Sequence, residues 1–187
     1  MYDTSDFRNG LKIEFQGEPF MIVEFQHVKP GKGNQFTRTK LKNLITGRVL
    51  DPTFKSGEKV GKPDIDERAM QYLYRDGEHY ACMDNENYEQ VVVDKDAVGD
   101  MSKWMTENCN VAVLVWNGRP ITLEVDKQVV LKIVSCEPGI KGDTAQGATK
   151  PATLETGAVV NVPLFVDEGE SIKVDTRTGQ YLERSNG

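Results

Sequence analysis

Apolar and polar residues alternate along much of this chain, and a period of two residues is typical of β-strands with one buried face. The first such segments cover residues 11–15 and 20–28, joined by a short glycine-containing turn. The second segment returns through residues 36–44, which predicts a long hairpin with residues 29–35 at its tip. A further strand over residues 48–54 would complete a small closed or half-closed barrel of about 60 residues.

The rest of the chain repeats this hairpin pattern. An Asp-Gly turn at residues 76–77 and an Asn-Gly turn at residues 117–118 each separate two alternating segments. Between them, residues 96–107 carry apolar side chains at helical spacing and predict a short helix or two, interrupted at Gly99. In the last third, the predicted strands cover residues 129–136, 158–166, 171–175 and 180–183, with a glycine-rich loop over 137–150.

Many short strands joined by tight turns indicate an all-β protein made of three consecutive small barrels. Residues 56–64 are polar and rich in turn formers, as expected of a boundary. The predicted domains are therefore residues 1–64, 65–127 and 128–187, and five-stranded barrels of the OB kind are expected for the second and third.

Composition places the chain among ordinary globular proteins. It has 187 residues, 28% of them charged, and a net charge of −6. No apolar run approaches the roughly 18 residues of a membrane-spanning helix. The first residues lack the features of a signal peptide, so a cytoplasmic protein with no membrane association is expected. The three cysteines form no Cys-x-x-Cys pair and there are only two histidines, so reduced thiols and no metal site are expected.

The distribution of charge is more informative than its total. Residues 27–62 carry nine basic and two acidic residues, a net +7, whereas the rest of the chain sums to −13. Such asymmetry favours a protein that binds nucleic acid with one part. The alternative is that the basic hairpin is only a solvated face. The strand period places Arg38, Lys40 and Lys42 on one face, as a strip of positive charge leading away from the tip.

Lys32 is the candidate functional residue at the tip. It stands between Gly31 and Gly33, which allow a tight turn and close approach of another molecule, and it follows Pro30, which stiffens the entry. Spacing alone leaves open that this is simply a good turn. The chain has no Walker spacing, no Gly-x-Ser-x-Gly elbow and no His-Glu-x-x-His motif, so it is not expected to be an enzyme.

Several motifs in order along the chain resemble bacterial elongation factor P. They are Lys29-Pro30-Gly31-Lys32-Gly33, Arg38 to Leu44, Tyr72 to Gly77, Trp116-Asn117-Gly118, Lys150 to Ala158 and Val174 to Gly179. The resemblance implies an N-terminal KOW/SH3-like barrel followed by two OB barrels, in an L-shaped arrangement similar to tRNA. It also implies relationship to the eukaryotic and archaeal factor that carries hypusine at the matching place.

The resemblance further implies a translation elongation factor that binds the 70S ribosome as a monomer, between the peptidyl and exit sites. It would contact the peptidyl-tRNA and ribosomal RNA and relieve stalling at consecutive prolines. Lys32 would reach the peptidyl-transferase centre, either bare or covalently extended by a lysine-modifying enzyme, and no other cofactor is implied. Tip residues Pro30, Gly31 and Gly33 would shape the loop, while the RNA contacts would come from Lys29, Arg38, Lys40 and Lys42.

Two more sites follow from the resemblance. A loop that reads the exit-site codon would be Gly99-Asp100-Met101-Ser102-Lys103, where Met101 replaces the family's asparagine and puts part of the base readout in doubt. Tyr181 and Arg184 match positions near the anticodon stem and the small subunit, although an ordinary strand-edge tyrosine and a solvated arginine would look the same. The alternative function is an elongation-factor-P-like paralogue or a general RNA-binding OB protein with a different target.

Overall fold

A computed structural model describes residues 1–138 and 148–185. Most of the loop predicted over 137–150 therefore lies outside the described residues. As the alternation predicts, the protein is nearly all β. No helix in the described ranges is long and apolar enough to cross a membrane.

The N-terminal barrel is built around one long hairpin. Strand β3 pairs with β4 from Phe20↔Asn43 to Val28↔Phe36, with a bulge between Ile22 and Glu24. Strand β4 also pairs with β5 and β6, and β1 pairs with β7. The strands are β1 Tyr2–Asp3, β2 Lys12–Phe15, β3 Glu18–Val28, β4 Phe36–Asn43, β5 Val49–Leu50, β6 Thr53–Lys55 and β7 Lys59–Val60.

Burial follows the alternation in this barrel. On β4 the side chains of Thr37, Thr39 and Leu41 are buried, while the basic residues between them are exposed. The buried faces meet in a core that includes Ile13, Phe20, Ile22, Leu41 and Phe54. At about 25 cal/mol per Å² of apolar surface, each of these large side chains stabilises the fold by about 1.5–3 kcal/mol.

The segment 56–64, predicted only as polar turns at the end of the first domain, contains a short strand. Its residues Lys59–Val60 form β7 and pair with Tyr2–Asp3, so they complete the first barrel. Gly57 N–H also donates to the Thr4 hydroxyl at 2.8 Å. Strands of two residues are too short to show a period, which is why the alternation does not reveal this pairing.

The next five strands form a sheet in the order β10-β9-β8-β11-β12. The β11–β12 turn has Asn117 and Gly118 at φ +50° and +80°, as a type I′ hairpin turn requires. The predicted helical segment is a four-residue helix α1, Lys95–Val98, followed by a 3₁₀ helix, Gly99–Trp104. The strands are β8 Ile65–Asp76, β9 His79–Asp84, β10 Gln90–Asp94, β11 Asn110–Trp116 and β12 Arg119–Val125.

The last five strands have the same topology, in the order β15-β14-β13-β16-β17. Strand β15 also lies against β17, which closes the barrel in the manner of an OB fold. The strand predicted over 158–166 is shorter than expected and ends at Pro163, yet Val166 is still fully buried. The strands are β13 Gln128–Cys136, β14 Thr149–Leu154, β15 Val159–Pro163, β16 Ser171–Asp175 and β17 Gln180–Ser185.

By density of contacts, the chain divides into two compact units. One comprises residues 1–67 with 114–122, and the other comprises residues 68–113 with 123–187. The domain boundaries at 64/65 and 127/128 stay predictions.

The three cysteines are free thiols, and Cys82 is completely buried on β9. Burial raises the pKa of the Cys82 thiol from 9.0 to about 11. Because the unfolded chain then loses this proton more readily than the folded one, the stability contributed by Cys82 is complete below about pH 9 and falls as the pH rises towards about 11.

We therefore expect Cys82 to resist alkylation at pH 8, because a buried neutral thiol is a poor nucleophile. Mass spectrometry after a timed reaction with iodoacetamide should find Cys136, which is only half-buried, modified first. Equal rates at Cys82 and Cys136 in the folded protein would contradict this expectation.

Candidate nucleic-acid interface

The tip of the β3–β4 hairpin is a continuously exposed loop. Pairing ends at Val28↔Phe36, and every residue from 29 to 35 is exposed. Lys29 and Lys32 both lie in this loop and form no ion pair or hydrogen bond with any described residue. The loop therefore presents two free ammonium groups to solvent.

The two glycines beside Lys32 play different roles. Gly33 has φ +104°, a backbone conformation that side-chain-bearing residues rarely adopt, whereas the φ of Gly31 is not positive. A Cβ at either position would meet no atom within 4 Å. Only Gly33 is thus required by the conformation of the loop, although the sequence suggests that both are.

Replacing each glycine by alanine tests this difference. Gly33→Ala should lower the free energy of unfolding by about 1 kcal/mol, because alanine is strained at that φ. Gly31→Ala should leave it unchanged or raise it by a few tenths of a kcal/mol, since the unfolded chain loses freedom without strain in the folded one. Urea denaturation of the two variants measures the difference, and equal midpoints would contradict it.

The predicted positive strip leads away from the tip along β4, with Arg38, Lys40 and Lys42 all exposed. Lys40 Nζ lies 3.4 Å from Glu24 Oε2, and an exposed ion pair of this kind contributes less than about 1 kcal/mol. The guanidinium of Arg38 lies over the Phe36 ring, 5.5 Å from its centroid. Glu24 is the one carboxylate paired with the strip in the described residues, so the strip keeps a net positive charge.

A second set of contacts lies where the tip loop joins the strands. His27 Nδ1 lies 2.8 Å from the hydroxyl oxygen of buried Thr37, directly across the hairpin. The His27 ring also meets Phe25 edge to face, with centroids 5.4 Å apart. These contacts brace the base of the loop. The sequence alternation does not reveal them, because nothing in it distinguishes the partners of one polar residue from those of another.

The predicted codon-reading loop is the 3₁₀ helix Gly99–Trp104. Asp100 is exposed, but Met101 packs against the core of the C-terminal barrel. Lys103 Nζ lies 5.2 Å from the centroid of the buried Trp104 ring, and the carbonyl of Lys103 accepts a hydrogen bond from the Thr156 hydroxyl. Met101 is therefore a packing residue here, and Asp100 and Lys103 are the polar groups at the surface.

The C-terminal candidates lie on β17. Tyr181 is half-buried and packs against the barrel core. The Arg184 guanidinium lies over the Phe165 ring, 4.9 Å from its centroid, and its Nη1 donates to Glu170 Oε1 at 3.3 Å. The tip and the strip share one hairpin in the first compact unit, whereas these residues and the 3₁₀ helix belong to the second. In the described ranges, no group of three or more His, Cys, Asp or Glu side chains could hold a metal ion.

Three family models match the chain in the order of its barrels. The elongation factor P KOW-like domain matches residues 3–60, the elongation factor P OB domain matches residues 65–123, and the elongation factor P C-terminal domain matches residues 129–184. This chain belongs to the elongation factor P family. It is therefore a translation elongation factor.

Full-length relatives agree with this assignment. Elongation factor P of Moorella thermoacetica is 52% identical over 99% of this chain and 100% of its own length. Elongation factor P of Maridesulfovibrio salexigens is 54% identical over 98% of this chain and 99% of its own length. The family predicted from the sequence motifs is thus confirmed.

A solved structure supports the fold of this elongation factor P family member. Eukaryotic translation initiation factor 5A from Methanococcus jannaschii matches with a TM-score of 0.56 and 21% identity, over 67% of this chain and 90% of its own. At this identity the similarity concerns the fold alone. The KOW-like and OB domains confirm the predicted fold class.

Proposed function

We propose that this elongation factor binds the 70S ribosome between the peptidyl and exit sites and stimulates peptide bond formation at stalled consecutive prolines. It does so by positioning the peptidyl-tRNA in the P site. The observation that carries the proposal is Lys32, an unpaired cation at the far end of a braced hairpin whose outer face is positively charged. The family supplies the setting, translation elongation.

The hairpin has the dimensions for such a role. Strand β4 contains eight residues, and at roughly 3.3 Å per residue it spans roughly 26 Å. Ladder pairing along its length and the His27–Thr37 contact at the base of the loop stiffen it. A stiff arm can place one side chain deep in a narrow site with little loss of conformational entropy on binding.

The positive charge of the β3–β4 hairpin indicates the chemistry of its partner. Lys29, Arg38, Lys40 and Lys42 form a row of exposed cations that fits the phosphates of tRNA and ribosomal RNA. The net charge of −6 for the whole chain keeps nonspecific RNA binding weak, so that attraction is confined to the hairpin.

The chemistry fits a positioning role. Proline has a locked φ and a rigid secondary amine, so that consecutive prolines hold the reacting groups in a poor geometry. A cation that orients the end of the tRNA lowers the barrier through geometry alone, without transferring a proton. On this proposal the ribosome is the catalyst, and the factor acts as a monomer in the cytoplasm.

The exposure of Lys32 also makes it accessible to a modifying enzyme. We propose that Lys32 carries a covalent extension in its native host, which would lengthen the reach of the tip. The intact mass of protein purified from that host tests this directly. The mass calculated from the unmodified sequence would contradict it.

A reconstituted translation system decides the main proposal. A reporter with a run of prolines should give more full-length product when the protein is added, whereas a matched reporter without the run should not change. Stalling that persists with the protein bound to ribosomes would refute the role. Binding of many RNAs equally well, with steep salt dependence and no preference for ribosomes, would favour the general RNA-binding alternative.

A further inference from the structure

The C-terminal barrel presents a large aromatic side chain to solvent at one end. Residues 164–170 connect β15 to β16, and within this loop Val166 is fully buried while Phe165 is 61% exposed. Since Val166 fills the end of the core, its neighbour is directed outwards. An exposed phenylalanine contributes little to folding, so its position calls for another explanation.

The loop around Phe165 is held at several points. Val166 N–H donates to Pro163 O at 3.1 Å, and Asp167 N–H donates to Glu170 Oε2 at 2.8 Å. The Gly169 N–H and the Glu170 carbonyl each bond to the backbone of Ile133 on β13, both at 2.9 Å. A loop with this many bonds is a rigid support for its exposed ring.

A buried lysine supports the loop from within the barrel. Lys150 Nζ lies 3.5 Å from Asp167 Oδ1, and its side chain is only 7% exposed. Nζ has no hydrogen-bond partner in the described parts of the chain. Its charge is therefore compensated chiefly by Asp167, which ties the loop to β14.

Arg184 completes the arrangement. Its guanidinium stacks on Phe165 at 4.9 Å, and its Nη1 donates to Glu170 Oε1 at 3.3 Å. The same Glu170 carboxylate accepts a hydrogen bond from Asp167 N–H in the loop that carries Phe165, so one side chain links this loop to the cation. Nε and Nη2 of Arg184 bond to nothing among residues 1–138 and 148–185, which leaves one edge of the guanidinium open.

Arg177 on the same barrel shows the opposite arrangement. Its Nε and Nη2 both donate to the Asp175 carboxylate, at 3.2 Å and 3.0 Å, so this edge of the guanidinium already has a bidentate partner. These bonds also lower the pKa of Asp175, which keeps the pair ionised. Two exposed arginines of one barrel thus differ in whether they can accept a further bidentate partner.

We infer that Phe165 and Glu170 are positioning residues that hold Arg184 ready to bind a phosphate of structured RNA through its open Nε–Nη2 edge. This inference rests on the proposed function, in which the partner is the ribosome with its bound tRNA. A planar guanidinium that is already oriented loses less conformational freedom on binding a phosphate than a solvated one. Phe165 therefore acts through Arg184 and makes no essential contact of its own.

A double-mutant cycle tests this dependence. Affinity for ribosomes carrying a P-site tRNA is measured over a range of salt concentrations for wild type, Phe165→Ala, Arg184→Ala and the double variant. Loss of the stacking should weaken binding by about two- to five-fold in Phe165→Ala. Arg184→Ala should weaken binding further and lower the salt slope by about 1. In the Arg184→Ala background, removal of Phe165 should have almost no further effect.

Three further variants act as controls. Phe165→Tyr keeps an aromatic face and should restore wild-type affinity, whereas Val159→Ala alters another exposed apolar side chain of the barrel and should change nothing. Arg177→Ala removes the same charge as Arg184→Ala, but from a guanidinium whose Nε and Nη2 are already bonded to Asp175, and it should leave the salt slope unchanged. Thermal midpoints near that of wild type for all variants would exclude a folding defect.

Additive effects in the cycle would overturn the inference, because Phe165 would then act independently of Arg184. An affinity loss in Arg184→Ala with an unchanged salt slope would overturn the assignment of RNA and indicate a protein partner. If Arg184→Ala binds normally, the inference fails while the role of the hairpin tip stands. If wild type does not bind ribosomes at all, the proposed function fails and the inference falls with it.

Discussion

Lys32→Ala should reduce the relief of proline stalling to background while leaving the fold intact. Lys32 is exposed and forms no ion pair or hydrogen bond with the described residues, so its removal should change the free energy of unfolding by less than about 0.5 kcal/mol. Its proposed task is to orient the end of the peptidyl-tRNA. Lys29, the other free cation of the loop, lies three residues earlier, directly after the end of β3. The measurement is full-length product from a proline-run reporter, together with the thermal midpoint of the variant.

The matched control is Lys29→Ala, which removes an equally free ammonium group from the same loop. If Lys29 serves only to bind phosphate, the variant should bind ribosomes more weakly and with a salt slope lower by about 1. At saturating concentration it should still relieve stalling. Equal loss of activity in both variants at saturation would mean that the charge of the loop, and not the position of Lys32, is what matters. Full activity in Lys32→Ala would refute the role of the tip.

Much of the fold is predictable from the sequence because its strands are amphipathic. The β3–β4 hairpin has long alternating arms, and the Asp-Gly and Asn-Gly turns mark two further hairpins. The pairing of Tyr2–Asp3 with Lys59–Val60 is not predictable in this way, since two residues cannot show a period. The end of β15 at Pro163 is also missed, because buried Val166 continues the apolar pattern after the strand has ended.

The candidate site divides in the same way. Lys32 and the positive strip on β4 can be predicted because the turn residues mark the tip of the hairpin and the period of two assigns each strand residue to one face. The Phe165–Arg184 stack cannot, because its partners are 19 residues apart in sequence and meet only when the barrel closes. Met101 shows what comparison with a family motif cannot reveal. The motif indicates only that an asparagine is missing from the predicted codon-reading loop. The structure shows that the Met101 side chain packs against the core of the C-terminal barrel.

Trp104 is the side chain on which the second compact unit should depend most strongly. It is 3% exposed and joins the core cluster of the C-terminal barrel, although it belongs to the 3₁₀ helix that precedes β11. Trp104→Ala should therefore lower the free energy of unfolding by about 3–5 kcal/mol, through lost burial and the cavity left behind. The midpoint of urea denaturation, followed by circular dichroism, measures the loss.

Trp104→Phe separates packing from hydrogen bonding. Trp104 Nε1 is buried without a partner in the described residues, so replacing the indole by phenyl removes an unsatisfied donor while creating only a small cavity. The two effects oppose each other, and the net loss should stay below about 1.5 kcal/mol. A large loss in Trp104→Phe would reveal a hydrogen bond to Nε1. A loss below about 1 kcal/mol in Trp104→Ala would show that the 3₁₀ helix does not depend on this ring.

Since Lys103 and Asp100 are carried by the same helix, Trp104→Ala should also displace the polar groups of the predicted codon-reading loop, whereas Trp104→Phe should leave them in place.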